Sequence, residues 1–542
     1  MKQRAKIWTA LLLAASLLAG CGGKTNPDTP APDDEPGGSS LIGSEVVARE
    51  PADSVFSLNF DAEAGTNPVR ADSSTNMLFW SLLYDSVFTV DENFEFSSDI
   101  VLETKSDDYI WWVFDIRTDV CFSDGTPMTA KDVVYSIQRA AQTSYYKERL
   151  ACIYGISALG DATFAITTSE ANSQFPKMLN IPIIKNGDYF EDYPLGTGPY
   201  MLNEDRSALV KNPESRLKNE LPVDTVYLRS YPDTSTKITA FEDASIDLVT
   251  NDPTGMYNLG YGSSNETRFY DTSNLHYLGF NMRSMFFQMF RMRYAMSWAV
   301  DRETIIADYL DGCAVATALP VHPKSALFDA ELDKSFRFDA AKSAAMFEAA
   351  GVSDLDADGD LEVLVTGIVV EMNVRFIVNN DSTAKVLAAR HIAEQLNSMG
   401  ITTTLYELSW DDYMTALETG DYDMYYGELR LTPDWDLSYL FEPRDQKTRE
   451  SDEKNETFTG RNYASCADTQ YGELYAAYLA AAEPDRAEAF AAVLKYVAES
   501  AAIVPICFER REVLTHRGVV TGVNATQYDV FHNFTEWTID LT

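Results

Sequence analysis

Apolar positions along the chain change period from segment to segment. Residues 109–117, YIWWVFDIR, are apolar or aromatic on both faces, which predicts a buried strand. The turn residues Ser123-Asp124-Gly125 follow, and then PMTAKDVVYSIQRA. In that stretch Thr129 can cap a helix with Asp132 three residues on, and Val133, Val134, Ile137 and Ala140 form one face. Farther along, Val386, Ala389, Ala393, Leu396 and Met399 mark a helical stripe that Gly400 ends, and ITTTLYEL then alternates as a strand does. Helix, glycine, strand is the repeating unit of an α/β sheet. The run from 442 to 461, EPRDQKTRESDEKNETFTGR, is polar throughout and reads as an exposed, solvated loop.

The N-terminus follows another logic. Lys2, Arg4 and Lys6 precede an apolar run over residues 7–19. That run is shorter than the roughly 20 residues that cross a bilayer, so residues 1–20 read as a signal peptide. It ends in Leu18-Ala19-Gly20-Cys21, which resembles the bacterial lipobox and implies cleavage before Cys21 and its lipidation. Residues 22–45 are Pro, Gly, Asp and Ser with little to bury, so residues 21–45 are expected to form a disordered leash. Its typical end-to-end distance would be on the order of 25–30 Å. No other stretch is long and apolar enough to span a membrane.

Composition narrows the function. The remaining ~500 residues exceed what one core usually supports, so two or more lobes are expected. A net charge of −40 argues against nucleic acid as a partner, because phosphates call for a basic surface. Cys121, Cys152, Cys313, Cys466 and Cys507 are odd in number and widely spaced, with no C-x-x-C; a disulfide and free thiols both remain open. The five histidines include no H-E-x-x-H, and neither G-x-S-x-G nor a phosphate-binding glycine loop occurs, so neither an enzyme nor a cofactor is expected. DLDADGD at 354–360 places Asp354, Asp356, Asp358 and Gly359 at the offsets of a Ca²⁺ loop. Val365 stands where that loop needs a bidentate Glu, so a solvated turn is expected, with no metal.

One resemblance covers residues 45–542. The run WWVFDIRTDVCFSDGTPMTAKDVVYSIQR at 111–139 resembles the strand, FSDGTP turn and helix of the family 5 extracellular solute-binding proteins. PLGTGPY at 194–200, FEDASIDLV at 241–249, LGFNM at 278–282, RYAMSWAVDRETI at 293–305, GDYDMYYGE at 420–428 and IVPICF at 503–508 follow in the family's order. The resemblance implies an α/β, two-lobed, periplasmic-binding-protein-like (type II) clamshell. Lobe I would hold residues 46–276 and 505–542, with an extra subdomain near 80–190, and lobe II residues 277–504. Two apolar crossovers, near 277–280 and 504–508, would form the hinge. The function implied is that of an ABC-importer binding lipoprotein on the outer face of the cytoplasmic membrane. It would be a monomer, delivering a solute, foremost an oligopeptide, to permease subunits. Oligosaccharide or metal-chelate binding on the same fold, or a surface lipoprotein hydrolase, are the alternatives.

The interlobe cleft is the expected site. In peptide-binding members an aspartate after Gly-Trp holds the ligand's amine. The matching segment, YYGELRLTPDWDLSYLF at 425–441, has Glu428 at the Trp position and Leu431 at the aspartate's. Glu428 or Asp434 could replace that anchor, and Arg430 could hold a carboxylate with two donors or pair internally with Glu428 or Asp434. In RFIVNNDSTAK at 375–385, Asn379, Asn380 and Ser382 stand at a helix start suited to an anionic group. Tyr257 and Trp435 could stack on a solute, and Asn281 of LGFNM completes the candidates.

Overall fold

The computed structural model describes residues 54–541 except 232, 256–260, 262–264, 442–461 and 467. Within 442–461 only the backbone pairing of Gln446–Lys447 with Thr457–Phe458 is described. The expected signal peptide, Cys21, the leash, Tyr257 and most of the polar loop therefore lie outside the described residues. Among the described residues, no helix is long and apolar enough to cross a membrane.

Eleven strands form the main sheet, numbered in chain order: β1 (Phe56–Asn59), β2 (Tyr200–Leu202), β3 (Ala208–Lys211), β4 (Thr225–Arg229), β5 (Leu248–Asn251), β6 (Glu266–Phe280), β7 (Ala314–Ala316), β8 (Asn373–Asn379), β9 (Thr402–Leu408), β10 (Met424–Arg430) and β11 (Ile503–Thr515). Their order is β9-β8-β10-β6-β11-β5-β1-β4-β3-β2, with β7 on β11. The long central pair β6 and β11 is antiparallel and serves both sides. The end of β11 pairs with β5 on one side and with the start of β6 on the other, whereas the end of β6 pairs with β10.

The hydrophobic cores divide at the same place. One draws on residues between Phe56 and Tyr270 and between Val513 and Trp537. Two others draw on residues between Leu275 and Phe508, joined by Val90 and Phe94. The β6–β11 register shifts between Asp271 and Leu275, where the cores change. Side chains satisfy this bulge: Thr272 Oγ1 donates to the Glu509 carbonyl at 2.8 Å and Ser273 Oγ to the Leu431 carbonyl at 2.8 Å.

Several local expectations hold. The helix Ala130–Ala140 begins where Thr129 donates N–H and O–H to the Asp132 carboxylate at 2.8 and 2.7 Å, and Val133, Val134, Ile137 and Ala140 are buried. The helix Thr383–Ser398 ends before Gly400 at φ 80°, and β9 follows. One reading is corrected. The strand within 109–117 spans Trp111–Ile116 and buries one face only: Trp112, Phe114 and Ile116 point inward while Trp111 is exposed, because this four-stranded sheet is covered on one side. After the acidic turn at 354–360 comes a hairpin of Glu362–Val365 and Ile368–Glu371, because Thr366 and Gly367 both take positive φ and turn the chain. The five described cysteines are free thiols.

Candidate functional site

A cavity of about 1110 Å³ lies where β6 and β10 meet segments from the other core. This is just above the roughly 300–1,000 Å³ of drug-sized ligand pockets, so it suits an oligomeric solute. Tyrosines dominate its wall, and several spend their hydroxyls inside the fold: Tyr146 donates to the Pro68 carbonyl at 2.9 Å and Tyr413 to the Tyr426 carbonyl at 2.8 Å. Their ring faces are left for contact with a solute. Tyr145 and Trp410 are the more exposed rings in the wall.

The antiparallel register sets Asn274 opposite Arg430, His276 opposite Glu428 and Tyr277 opposite Gly427. Gly427 is required there: a Cβ would sit 2.4 Å from the Tyr277 ring. Glu428 accepts from Lys385 Nζ at 3.0 Å, and Lys385 also lies 2.9 Å from Asp381. Partial withdrawal from water raises the Glu428 carboxyl, but the His276 ring and the Lys385 ammonium outweigh it and hold it below the usual glutamate range. Burial lowers Lys385, yet Glu428 and Asp381 carry it above the usual lysine range. Burial depresses His276, partly offset by Glu428, and its Nδ1 lies 2.9 Å from the Tyr426 hydroxyl.

Arg430 forms no ion pair with a described residue; its guanidinium lies 5.9 Å from the Tyr528 ring centroid. Arg149, a second cavity arginine, donates to the Asn180 carbonyl at 3.0 Å and lies 5.3 Å from the Tyr146 ring. It too has no carboxylate partner among the described residues. Arg511 is engaged at 3.3 Å with both Asp252 and Glu509. Crowding of the two carboxyls, after burial, raises Asp252 to about 7.

The expected residues separate. Glu428, Arg430 and Asn379 line the cavity. Asn379 Oδ1 accepts the Asp381 N–H at 2.9 Å, and its buried Nδ2 has no partner among the described residues. Ser382 is not in the wall: its hydroxyl caps Lys385 N–H at 3.3 Å and donates to the Thr254 carbonyl. Asn380 is exposed beside it. Asp434 is buried and accepts from Thr432 Oγ1 at 2.6 Å. Trp435 is a core residue whose ring lies 5.1 Å from Phe94 and 5.8 Å from Phe508. Asn281 Nδ2 donates to the carbonyls of Gly420 and Tyr422 at 3.1 and 2.9 Å, tying the far end of β6 to the turn before β10. Thus the trio expected to face one cleft splits, with Asp434 turned inward.

Arg149, Lys385, Tyr145, Trp410 and Tyr528 were not anticipated. They come from four separate segments of the chain and carry no periodic signal, although the Tyr145-Tyr146 doublet before three charged residues, Lys147, Glu148 and Arg149, is a visible oddity.

Among the described residues, two groups have the spacing of metal ligands. His276, Glu428 and Glu509 bring one ligand atom each within 4.8 Å of the others. Lys385, Arg511 and Asn274 already engage the two carboxylates. At 354–362, Asp354, Asp356, Asp358 and Glu362 converge likewise. There Asp354 accepts backbone N–H from Ala357 and Gly359, and Glu362 accepts from Leu355, as a self-bonded turn does.

Comparison with known proteins agrees with this architecture. The model for bacterial extracellular solute-binding proteins, family 5 Middle, matches residues 95–450. The oligopeptide-binding protein AppA of Bacillus subtilis is 22% identical over 443 residues, 77% of this chain and 78% of that protein. The periplasmic oligopeptide-binding protein OppA of Salmonella typhimurium is 26% identical over 339 residues, 56% of this chain and 59% of its own length. Among solved structures, Bacillus subtilis AppA in complex with a nonapeptide aligns with a TM-score of 0.59 at 18% identity, covering 91% of this chain and 100% of that one. MppA, a periplasmic murein tripeptide-binding protein in its unliganded open form, aligns at 0.70 and 16% identity, covering 90% and 97%. Both solved structures share the fold.

Proposed function

The chain belongs to the family 5 bacterial extracellular solute-binding proteins, and we propose that it captures an oligopeptide, leaves it chemically unchanged, and hands it to the permease of an ABC importer. The observation that carries this reading is the tyrosine-walled cavity of about 1110 Å³ at the place where the sheet changes cores. Two lobes meeting there, joined by β6 and β11, would close on a solute by bending at the Asp271–Leu275 irregularity. On this reading lobe I holds residues 46–276 and 505–542 with a subdomain near 80–190, and lobe II holds 277–504. Arg430, Asn379 and Glu428 would be the binding residues from the sequence list, joined by Arg149. A lipid on Cys21 and the leash after it would keep a monomer at the outer face of the membrane.

The test is to incubate the purified chain with a defined oligopeptide mixture and follow both bound and consumed species by mass spectrometry. Peptides recovered intact and in one-to-one ratio support the proposal. Catalytic turnover of any component overturns it in favour of a hydrolase. Replacing Cys21→Ser should leave the protein unprocessed or release it to the medium; an anchored, processed variant contradicts the lipid anchor.

A further inference from the structure

Resting on the binding reading above, we infer that the solute is an acidic oligopeptide, with at least two carboxylates gripped by Arg149 and Arg430. Both guanidiniums line the cavity, and neither forms an ion pair with a described residue. Arg149 spends one donor on the Asn180 carbonyl and is half-buried, while Arg430 stands open over Tyr528. Enclosing two unpaired cations under a neutral solute would leave buried charge uncompensated, which is strongly unfavourable. A carboxylate on each removes that penalty, because the planar fork of arginine matches a carboxylate with two parallel hydrogen bonds.

The rest of the wall agrees. Of its carboxylates Glu148, Asp381 and Glu428, the last two are turned to Lys385, so neither of those offsets the two arginines. Asn379 adds a buried amide N–H₂ that has no partner among the described residues. The chain as a whole carries a charge of −40. Its outer field therefore repels anions, and a positive pocket in such a surface is a local, selective feature.

The experiment exposes the purified full chain to an equimolar mixture. The mixture holds synthetic tetrapeptides rich in Asp and Glu, their Asn and Gln counterparts with amidated C-termini, and a uronate trisaccharide. Bound species are recovered by gel filtration and weighed. The acidic peptides should be retained at least tenfold over their amides. Arg149→Gln and Arg430→Gln should each cut that retention at least tenfold with Tm unchanged, and Arg430→Lys should keep part of it. Retention of the neutral peptides to an equal degree, or acidic binding untouched by both variants, overturns the acidic assignment while leaving the binding reading in place. Preference for the uronate overturns the peptide class, and retention of nothing contradicts both readings.

Discussion

Lys385, in the first turn of the helix Thr383–Ser398, holds the Glu428 carboxylate at 3.0 Å and so takes the anion that Arg430, two residues on, would otherwise meet. The pairing decides the character of the cavity, because it satisfies the acid and leaves the arginine open. Lys385→Met should therefore destabilise the fold by about 1–2 kcal/mol at neutral pH, since Asp381 and Glu428 lose their shared cation; partial exposure of Glu428 keeps the effect modest.

The same pair sets a pH dependence. Glu428 is depressed, so its contribution is complete above the ordinary glutamate pKa and is lost as pH falls through its lower folded value. Lys385 is raised, so its contribution holds below the ordinary lysine pKa and is lost as pH rises through its higher folded value. Urea unfolding of the parent and the Lys385→Met variant should show a constant gap through neutral pH that narrows in strong acid. A gap that is unchanged at pH 3 contradicts the pairing.

His322 gives a second dependence with a different window. It is fully buried, between Phe94 and Phe508, with Nδ1 accepting the Lys324 N–H at 3.1 Å. Burial holds its pKa at about 4 despite Asp271 at 3.7 Å. The unfolded chain takes up the proton first, so stability should fall as pH drops from about 6.5 to 4, by roughly 2–3 kcal/mol. His322→Gln should flatten that slope in a denaturation series; an unaltered slope would show that the acid sensitivity arises elsewhere.

At the β6–β10 crossing, Gly427→Ala would set a methyl 2.4 Å from the Tyr277 ring. Tyr277 is buried, its hydroxyl 3.4 Å from that of Tyr425, so the ring cannot swing clear without disturbing a neighbour. A loss of about 1–3 kcal/mol is expected, together with weaker solute binding because Tyr277 lines the cavity. A variant with the parent's Tm and affinity would contradict this packing.

What the sequence made legible follows from how locally each feature is determined. The capped helix at Ala130–Ala140 and the Thr383–Ser398 helix with its terminal glycine depend on spacings within one element, and both appear as read. The one-sided burial of Trp111–Ile116 depends on what covers the sheet, which no local pattern encodes. The site divided along the same line. Arg430 and Glu428 are adjacent on one strand, so a motif could point to both, and they do line the cavity. Asp434 and Trp435 lie only a few residues farther, but the chain leaves the strand after Arg430 and Trp435 takes φ 61°, which turns them into the core. Arg149 and Tyr528 come from loops far away in sequence and meet the site only through the tertiary fold.

The most direct test of solute capture between two lobes is small-angle scattering of the full chain with and without a tightly retained peptide, at demonstrated saturation. Closure at the β6–β11 irregularity should shrink the radius of gyration and shorten the maximum dimension. Identical scattering curves for the free and saturated protein would contradict the clamshell account.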